Sequence, residues 1–215
     1  MIELTTQVIV VAIDSSFVQA RPFSKEQLDQ FCLRALDSFK DNGLRPEHIA
    51  LRTADVLFGY ELSFGLFGGS ATFRLTSGHL ILVFQNILNR DALKTVAETA
   101  ARAHSLFNDT DFLEHTLGIV AHTSFRDEQQ RKQASGALED PKRQIEFLGR
   151  LAYLRTAEWA ETIRFEVDRS IFFPPGLFLS WNSRWRGKVD VDTFNRAARA
   201  LEAAANRLDF DIAVP

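Results

Sequence analysis

The chain carries one layout twice, and that doubling limits its fold more than any single motif does. Leu51-Arg52-Thr53-Ala54-Asp55 recurs as Leu154-Arg155-Thr156-Ala157-Glu158. Upstream, Val11-Ala12-Ile13-Asp14-Ser15-Ser16-Phe17 is echoed by Val120-Ala121-His122-Thr123-Ser124-Phe125. Each half then closes on an Ala-rich helix. Echoes that keep their order within the same succession of elements point to an internal duplication. The expected repeats are residues 1–110 and 111–215, each a β-α-β-α module, packed as one globular unit.

Periodicity fills in the module. Residues 7–13 are β-branched and apolar on both faces, which predicts a buried strand. Ser24 and Gln27 have capping-box spacing ahead of Leu28, Phe31, Cys32, Ala35, Leu36 and Phe39, and Asn42-Gly43 supplies a stop, so a helix is expected over 25–41. Four strands follow: 48–56, then 60–66 and 71–76 with alternating apolar and polar residues, then 79–85. Gly68-Gly69 marks the hairpin between the middle two. Leu93, Val96, Ala97, Ala100, His104 and Phe107 stripe a helix over 90–107. His104 interrupts that stripe, which suits a hydrogen bond into the sheet or a place at the stripe's margin.

The second half repeats the plan with edits. A strand is predicted over 117–125, a polar mobile loop over 126–140, and a helix from Asp140-Pro141. Strands then follow at 152–159, 163–168 and 177–186. Asp192 is expected to cap a last helix striped by Phe194, Ala197, Ala198, Leu201, Ala205 and Leu208.

The unit is therefore β-α-β(3–4)-α, and the fold class α+β. Meandering strands with one polar face need the other face covered, and the helices are available for that. In element order the layout is similar to the tandem saddle of the TATA-box-binding protein, over most of the chain. The resemblance implies one curved antiparallel sheet with helices on a single face. A helix-grip barrel is the alternative architecture.

Composition narrows the functional classes. Apolar and charged contents of 46% and 25% are those of an ordinary soluble globular chain. Phenylalanine stands out, with 19 copies against two Tyr and three Trp. It brings large buried area without a polar handle, so a Phe-packed core is expected, with a Phe-lined ligand cavity as the competing use. A net charge of −3 argues against broad phosphate-backbone binding. One cysteine, Cys32, fits a reducing compartment and a buried, inert thiol. No signal peptide or membrane-length apolar run is read, so the expected location is cytoplasmic.

No motif predicts catalysis. Asp14, Ser15, Ser16, His122, Thr123 and Ser124 end two equivalent strands, and a Ser-His-Asp set built from them competes with ordinary turn and capping roles. There is no nucleophile elbow. The five histidines are scattered and no metal or cofactor is expected. The segment Phe64–Ser70 is Gly-rich but has no phosphate-loop lysine.

The binding candidates are Trp181, Arg184, Trp185 and Arg186, since Trp and Arg dominate interface hot spots. A core-facing indole pair competes with that reading. On the sheet's polar face stand Arg52, Arg74, Arg155 and Arg164. Arg52 and Arg155 occupy equivalent positions, each with an acid three residues on. That face also carries Glu61, Thr72, Thr162, Glu166 and Asp168. Its charges nearly cancel, which suits a protein partner better than DNA. The basic residues Arg126, Arg131, Lys132, Lys142 and Arg143 give the loop a lesser claim. The expected function is a non-catalytic, protein-binding accessory, adaptor or inhibitor-type subunit. The alternatives are a small hydrophobic ligand carrier or enzyme, and nucleic-acid binding.

Overall fold

The central strand of the molecule is also its longest. β1 (Ile2–Phe17) runs well beyond the predicted seven residues at both ends. In the computed structural model, which describes residues 2–53, 59–87, 90–125, 127–132, 150–154, 163–170, 172, 176–207 and 210–212, β1 pairs with three other strands. β5 (His79–Gln85) lies on one side, β6 (Phe112–Phe125) on the other, both antiparallel. The short β10 (Phe210–Ile212) pairs parallel with Ile2–Leu4.

From β5 the sheet continues through β4 (Ala71–Leu75) and β3 (Tyr60–Leu66) to β2 (Ile49–Thr53). From β6 it continues through β9 (Gly176–Trp185) and β8 (Ile163–Arg169) to β7 (Arg150–Leu154). The order is β2-β3-β4-β5-β1-β6-β9-β8-β7, an antiparallel α+β sheet apart from the β1·β10 contact. β2–β5 form the wing to one side of the β1·β6 seam and β7–β9 the wing to the other, while β10 returns to pair with β1.

Period-two patterning decides which side each residue takes. Ile9, Val11, Ile13 and Phe17 of β1 point inward, with Leu62, Phe64, Phe73, Leu82, Leu117, Phe165, Leu179 and Trp181. The helices supply the facing surface: α1 (Lys25–Phe39), α2 (Arg90–His104) and α3 (Val191–Asn206). α1 buries Leu28, Phe31, Ala35 and Phe39. Val96, Ala97 and Ala100 of α2, with Phe194, Ala197 and Ala200 of α3, complete the same core. Small residues on those stripes let the helices approach closely.

The expected Phe-rich core is present as a chain of touching rings. Phe64 and Phe73 stack at 4.3 Å, and Phe31 reaches Phe73 at 5.8 Å and Phe107 at 5.3 Å. Phe107 meets Phe17 at 5.5 Å, which stacks on Phe112 at 5.1 Å. These rings tie β3 and β4 to α1, to the turn after α2 and to the central seam.

The helix signals read locally hold well. Ser24 Oγ accepts from the Gln27 amide at 3.2 Å, and Gln27 Oε1 accepts from the Ser24 amide at 2.9 Å, closing the capping box. At α3 the cap is Asp190, whose carboxylate accepts from the Thr193 amide at 2.8 Å, while Asp192 sits in the first turn. Asp192 is therefore not the cap. The start of the predicted loop 126–140 is helical over 128–132, with Asp127 Oδ1 accepting from the Gln130 amide at 2.8 Å. The helix predicted from Asp140-Pro141 lies outside the described residues.

One of the two echoes fails a geometric test. In β1 the inward residues are Val11, Ile13 and Ser15. In β6 they are Ile119, Ala121 and Thr123. Aligning Val11 with Val120 sets an inward residue against an outward one, and a two-fold axis normal to a sheet cannot exchange its faces. Keeping the faces requires a one-residue slip that pairs Val11 with Ile119 and Phe17 with Phe125. For the other echo, Leu51 pairs in register with Leu62 and Leu154 with Ile163, and the residues from Arg155 onward lie outside the described residues.

Candidate functional site

α1, α2 and α3 pack on the inward side of the sheet, and the composition of the outward side follows from the residues alternating with the core positions. Arg74, Ile81, Asp14, Thr116 and Arg184 are successive cross-strand partners on it. The next row runs Thr72, Val83, Ala12, Gly118, Asn182, Arg164 and Tyr153. A third row runs Gln85, Val10, Val120, Ser180 and Glu166. Ile81, Val83, Val10, Ala12 and Val120 are half-buried. They form an apolar centre ringed by polar and charged residues.

Most of that ring is internally paired. Arg74 meets Glu61 at 2.8 Å, Arg164 meets Glu166 at 3.0 Å and Arg184 meets Glu114 at 3.5 Å. Asp14 and His79 approach to 2.7 Å. Arg52 is exposed on edge strand β2 opposite Glu61. Arg186 is exposed in the turn after β9. Arg155 and Thr162 lie outside the described residues. The charge balance read from the sequence is thus a set of short-range pairs.

The two indoles are elsewhere. Trp181 is 0% and Trp185 7% exposed. Both point into the core from β9, with Leu177 and Leu179. Trp185 also stacks near His115 at 5.1 Å and donates from Nε1 to the Lys188 carbonyl at 3.2 Å. Arg184 points the other way, so Trp181–Arg186 is split by the sheet, and only its arginines reach the surface.

The Ser-His-Asp grouping considered for His122 and Asp14 does not assemble. His122 lies opposite Val8 and contacts Ser170 Oγ at 3.0 Å, with the Phe172 ring edge-on at 4.8 Å. Asp14 lies opposite Thr116, and its histidine partner is His79 from β5. Ser16 is the cross-strand neighbour of His79, with its hydroxyl donated to the Glu114 carbonyl at 3.3 Å.

A second constellation, not anticipated as a unit, is buried beneath the seam. Ser15 is fully buried and its Oγ lies 2.7 Å from His104 Nε2 and 2.7 Å from His115 Nδ1. The outer nitrogens face carbonyls: His104 Nδ1 is 2.8 Å from Ala100 O, and His115 Nε2 is 2.9 Å from Gly187 O. His104 thus makes the bond into the sheet that its place in the stripe suggested. Burial pushes the His104 pKa down to about 4, against the Ala100 carbonyl, and His115 pushes it the same way. Burial also lowers His115, against the Gly187 carbonyl and Asp109.

With no exposed surface on Ser15, this set offers no route for a substrate, and its chemistry is structural. Its signal in the sequence was two polar residues at core parity: Ser15 in the inward series of β1 and His104 in the α2 stripe. Cys32 is half-buried, its thiol pushed up by burial and by Asp29, which suits an inert role.

No family model, curated protein or solved structure matches this chain.

Proposed function

We propose that this chain is a non-catalytic protein-binding subunit whose contact surface is the open face of the sheet. The observation that carries the reading is the half-buried apolar centre formed by Val10, Ala12, Ile81, Val83 and Val120, set between rows of polar and charged residues. An apolar middle with a polar rim is the usual anatomy of a protein interface. The rim cations are mostly held by Glu61, Glu114 and Glu166. That arrangement disfavours a phosphate backbone, which recruits free Lys and Arg. The partner is expected to bring an apolar patch and its own paired charges.

The contact residues in this reading are Arg52, Arg74, Arg164 and Arg184 around the apolar centre, with Arg186 beyond the end of β9. Trp181 and Trp185 contribute by holding β9 flat against the core. Capture of a partner from the native host by the immobilised chain tests the proposal. Val83→Arg and Val120→Arg, placed in the middle of the face, are expected to abolish capture without lowering the melting temperature. Arg45→Glu, outside the face, is expected to leave capture intact. Capture that survives both face substitutions overturns the reading.

The duplication belongs to the same proposal. Its support is the strand order, which reads outward from β1·β6 in matching sequence on both wings, with one described strand fewer in the second. A curved sheet with both repeats contributing equally to one face is the arrangement this favours. A chain carrying residues 1–110 twice in tandem is expected to melt cooperatively as a monomer. Failure to fold would separate the two wings in origin.

A further inference from the structure

On the opposite side of the molecule from the open face, a groove of about 840 Å³ lies between the first half of α1 and the turn that follows α2. We propose that it is a binding site for a small organic anion with a flat aromatic or apolar body, such as an aryl carboxylate. The site is independent of the sheet face.

Its apolar lining comes from Phe23, Phe31 and Phe107, where the ring chain of the core reaches the surface. Leu33 adds an apolar side chain that is 68% exposed. Val18, 59% exposed, lines a smaller hollow of about 240 Å³ that shares Arg21 and Asp111 with the groove.

The charge comes from two arginines. The Arg21 guanidinium lies over the Phe17 ring at 4.8 Å and pairs with Asp111 at 2.8 Å. The Arg34 guanidinium lies over the Phe31 ring at 5.7 Å and donates one bond to the Leu106 carbonyl at 3.3 Å. No carboxylate among the described residues pairs with Arg34. Each guanidinium carbon lies over an aromatic ring, and the planar fork of N–H donors suits bidentate capture of a carboxylate. Two cations against the single Asp111 leave the groove one positive charge in excess. Its size falls within the range of small-ligand sites, roughly 300–1,000 Å³, and two arginines are too few for a nucleic-acid track.

Isothermal titration calorimetry of the full chain with 2-naphthoate tests the assignment, with naphthalen-2-ylmethanol as the neutral analogue and an acidic peptide as the competing occupant. Saturable binding of 2-naphthoate is expected, weaker by about tenfold or more in Arg34→Gln, as loss of a charge-assisted hydrogen bond predicts. Arg34→Lys, which keeps the charge but loses the fork, is expected to fall between. Circular dichroism melts of both variants should match the native chain, since Arg34 is exposed. If those variants unfold, Gln30→Glu at the same groove replaces them and is expected to weaken binding by repulsion. Equal affinity for the neutral alcohol, unchanged affinity in the Arg34 variants, or binding of the peptide alone overturns the proposal. Val83→Arg leaves 2-naphthoate binding unchanged, so failure here and failure of the face reading are distinguishable.

Discussion

Ser15 has a single hydroxyl proton and two imidazole nitrogens within 2.7 Å. Carbonyls only accept, so the four contacts of the set are all satisfied when His104 Nδ1 and His115 Nε2 donate outward and one inner nitrogen also carries a proton. Two neutral rings and a serine supply three protons for these four contacts. Burial nevertheless holds His104 neutral down to about pH 4, and it depresses His115 as well, so at neutral pH one contact is not a hydrogen bond. The Ala100 carbonyl is the contact most easily given up, because it also accepts the helical amide bond of its own turn.

The groups facing the pair are Ser15, Phe112, the Ala100 and Gly187 carbonyls, the two rings themselves and, on His115, Trp185 and Asp109. A histidine whose folded pKa lies below its unfolded value stabilises above the unfolded pKa and loses that contribution as pH falls through the folded one. Stability is therefore expected to fall as pH drops from about 6.5 toward 4, by up to about 3 kcal/mol for His104 alone, with the melting temperature falling alongside. His104→Gln should flatten that slope in a pH series of thermal melts. An equally steep series in the variant would sink this account. Ser15→Ala strands both inner nitrogens and is expected to cost about 1–3 kcal/mol at pH 7, read by urea unfolding.

At the scale of elements, β9 shows how far local patterning reaches. The alternation Leu177, Leu179, Trp181, Trp185 against Arg184 was legible as two-sided, but period alone does not say which side is core. The answer came from β6 and β8, whose inward residues Ile119 and Phe165 lie directly opposite Trp181. Trp181→Ala is thus expected to cost about 3–5 kcal/mol, where a surface indole would cost little. The capping box at Ser24 and the α1 stripe were fully legible, since both depend on neighbours within a turn. The Ser15–His104–His115 set was not, because its members are brought together by the sheet register and helix docking.

Gly59 is a further element-scale point. It takes φ +72°, and a Cβ there would stand 2.7 Å from the Phe23 carbonyl oxygen. The Tyr60 amide donates to that same oxygen at 3.3 Å, tying the segment before α1 to β3. Gly59→Ala combines left-handed strain with a backbone collision. The expected loss is about 2 kcal/mol or more, together with weaker 2-naphthoate binding, because Phe23 moves.

For the whole molecule, the sequence carried the α+β class and the Phe-rich core. The seam was beyond it: β1 has 16 residues and β6 14, both longer than the strands expected over 7–13 and 117–125, and their mutual register is a long-range fact. The slipped echo shows why. Val11-Ala12 and Val120-Ala121 match as letters but face opposite sides, a difference that one residue of slippage creates and only pairing reveals. No described helix is long and apolar enough to cross a membrane. Because the face charges are mostly paired on the chain itself, partner capture should persist as salt rises from roughly 50 to roughly 200 mM, over which a phosphate contact by several cations weakens by about 10³-fold. Salt-sensitive capture would favour nucleic acid instead.

The outermost described strands, β2 and β7, have one neighbour each. The flank that each leaves unpaired among the described residues offers backbone donors and acceptors to any chain of like geometry. β2 answers with brevity, five residues, and with the exposed Arg52. Replacing that guanidinium by an aliphatic side chain removes a gatekeeper, and concentrated solutions of such a variant should polymerise wing to wing.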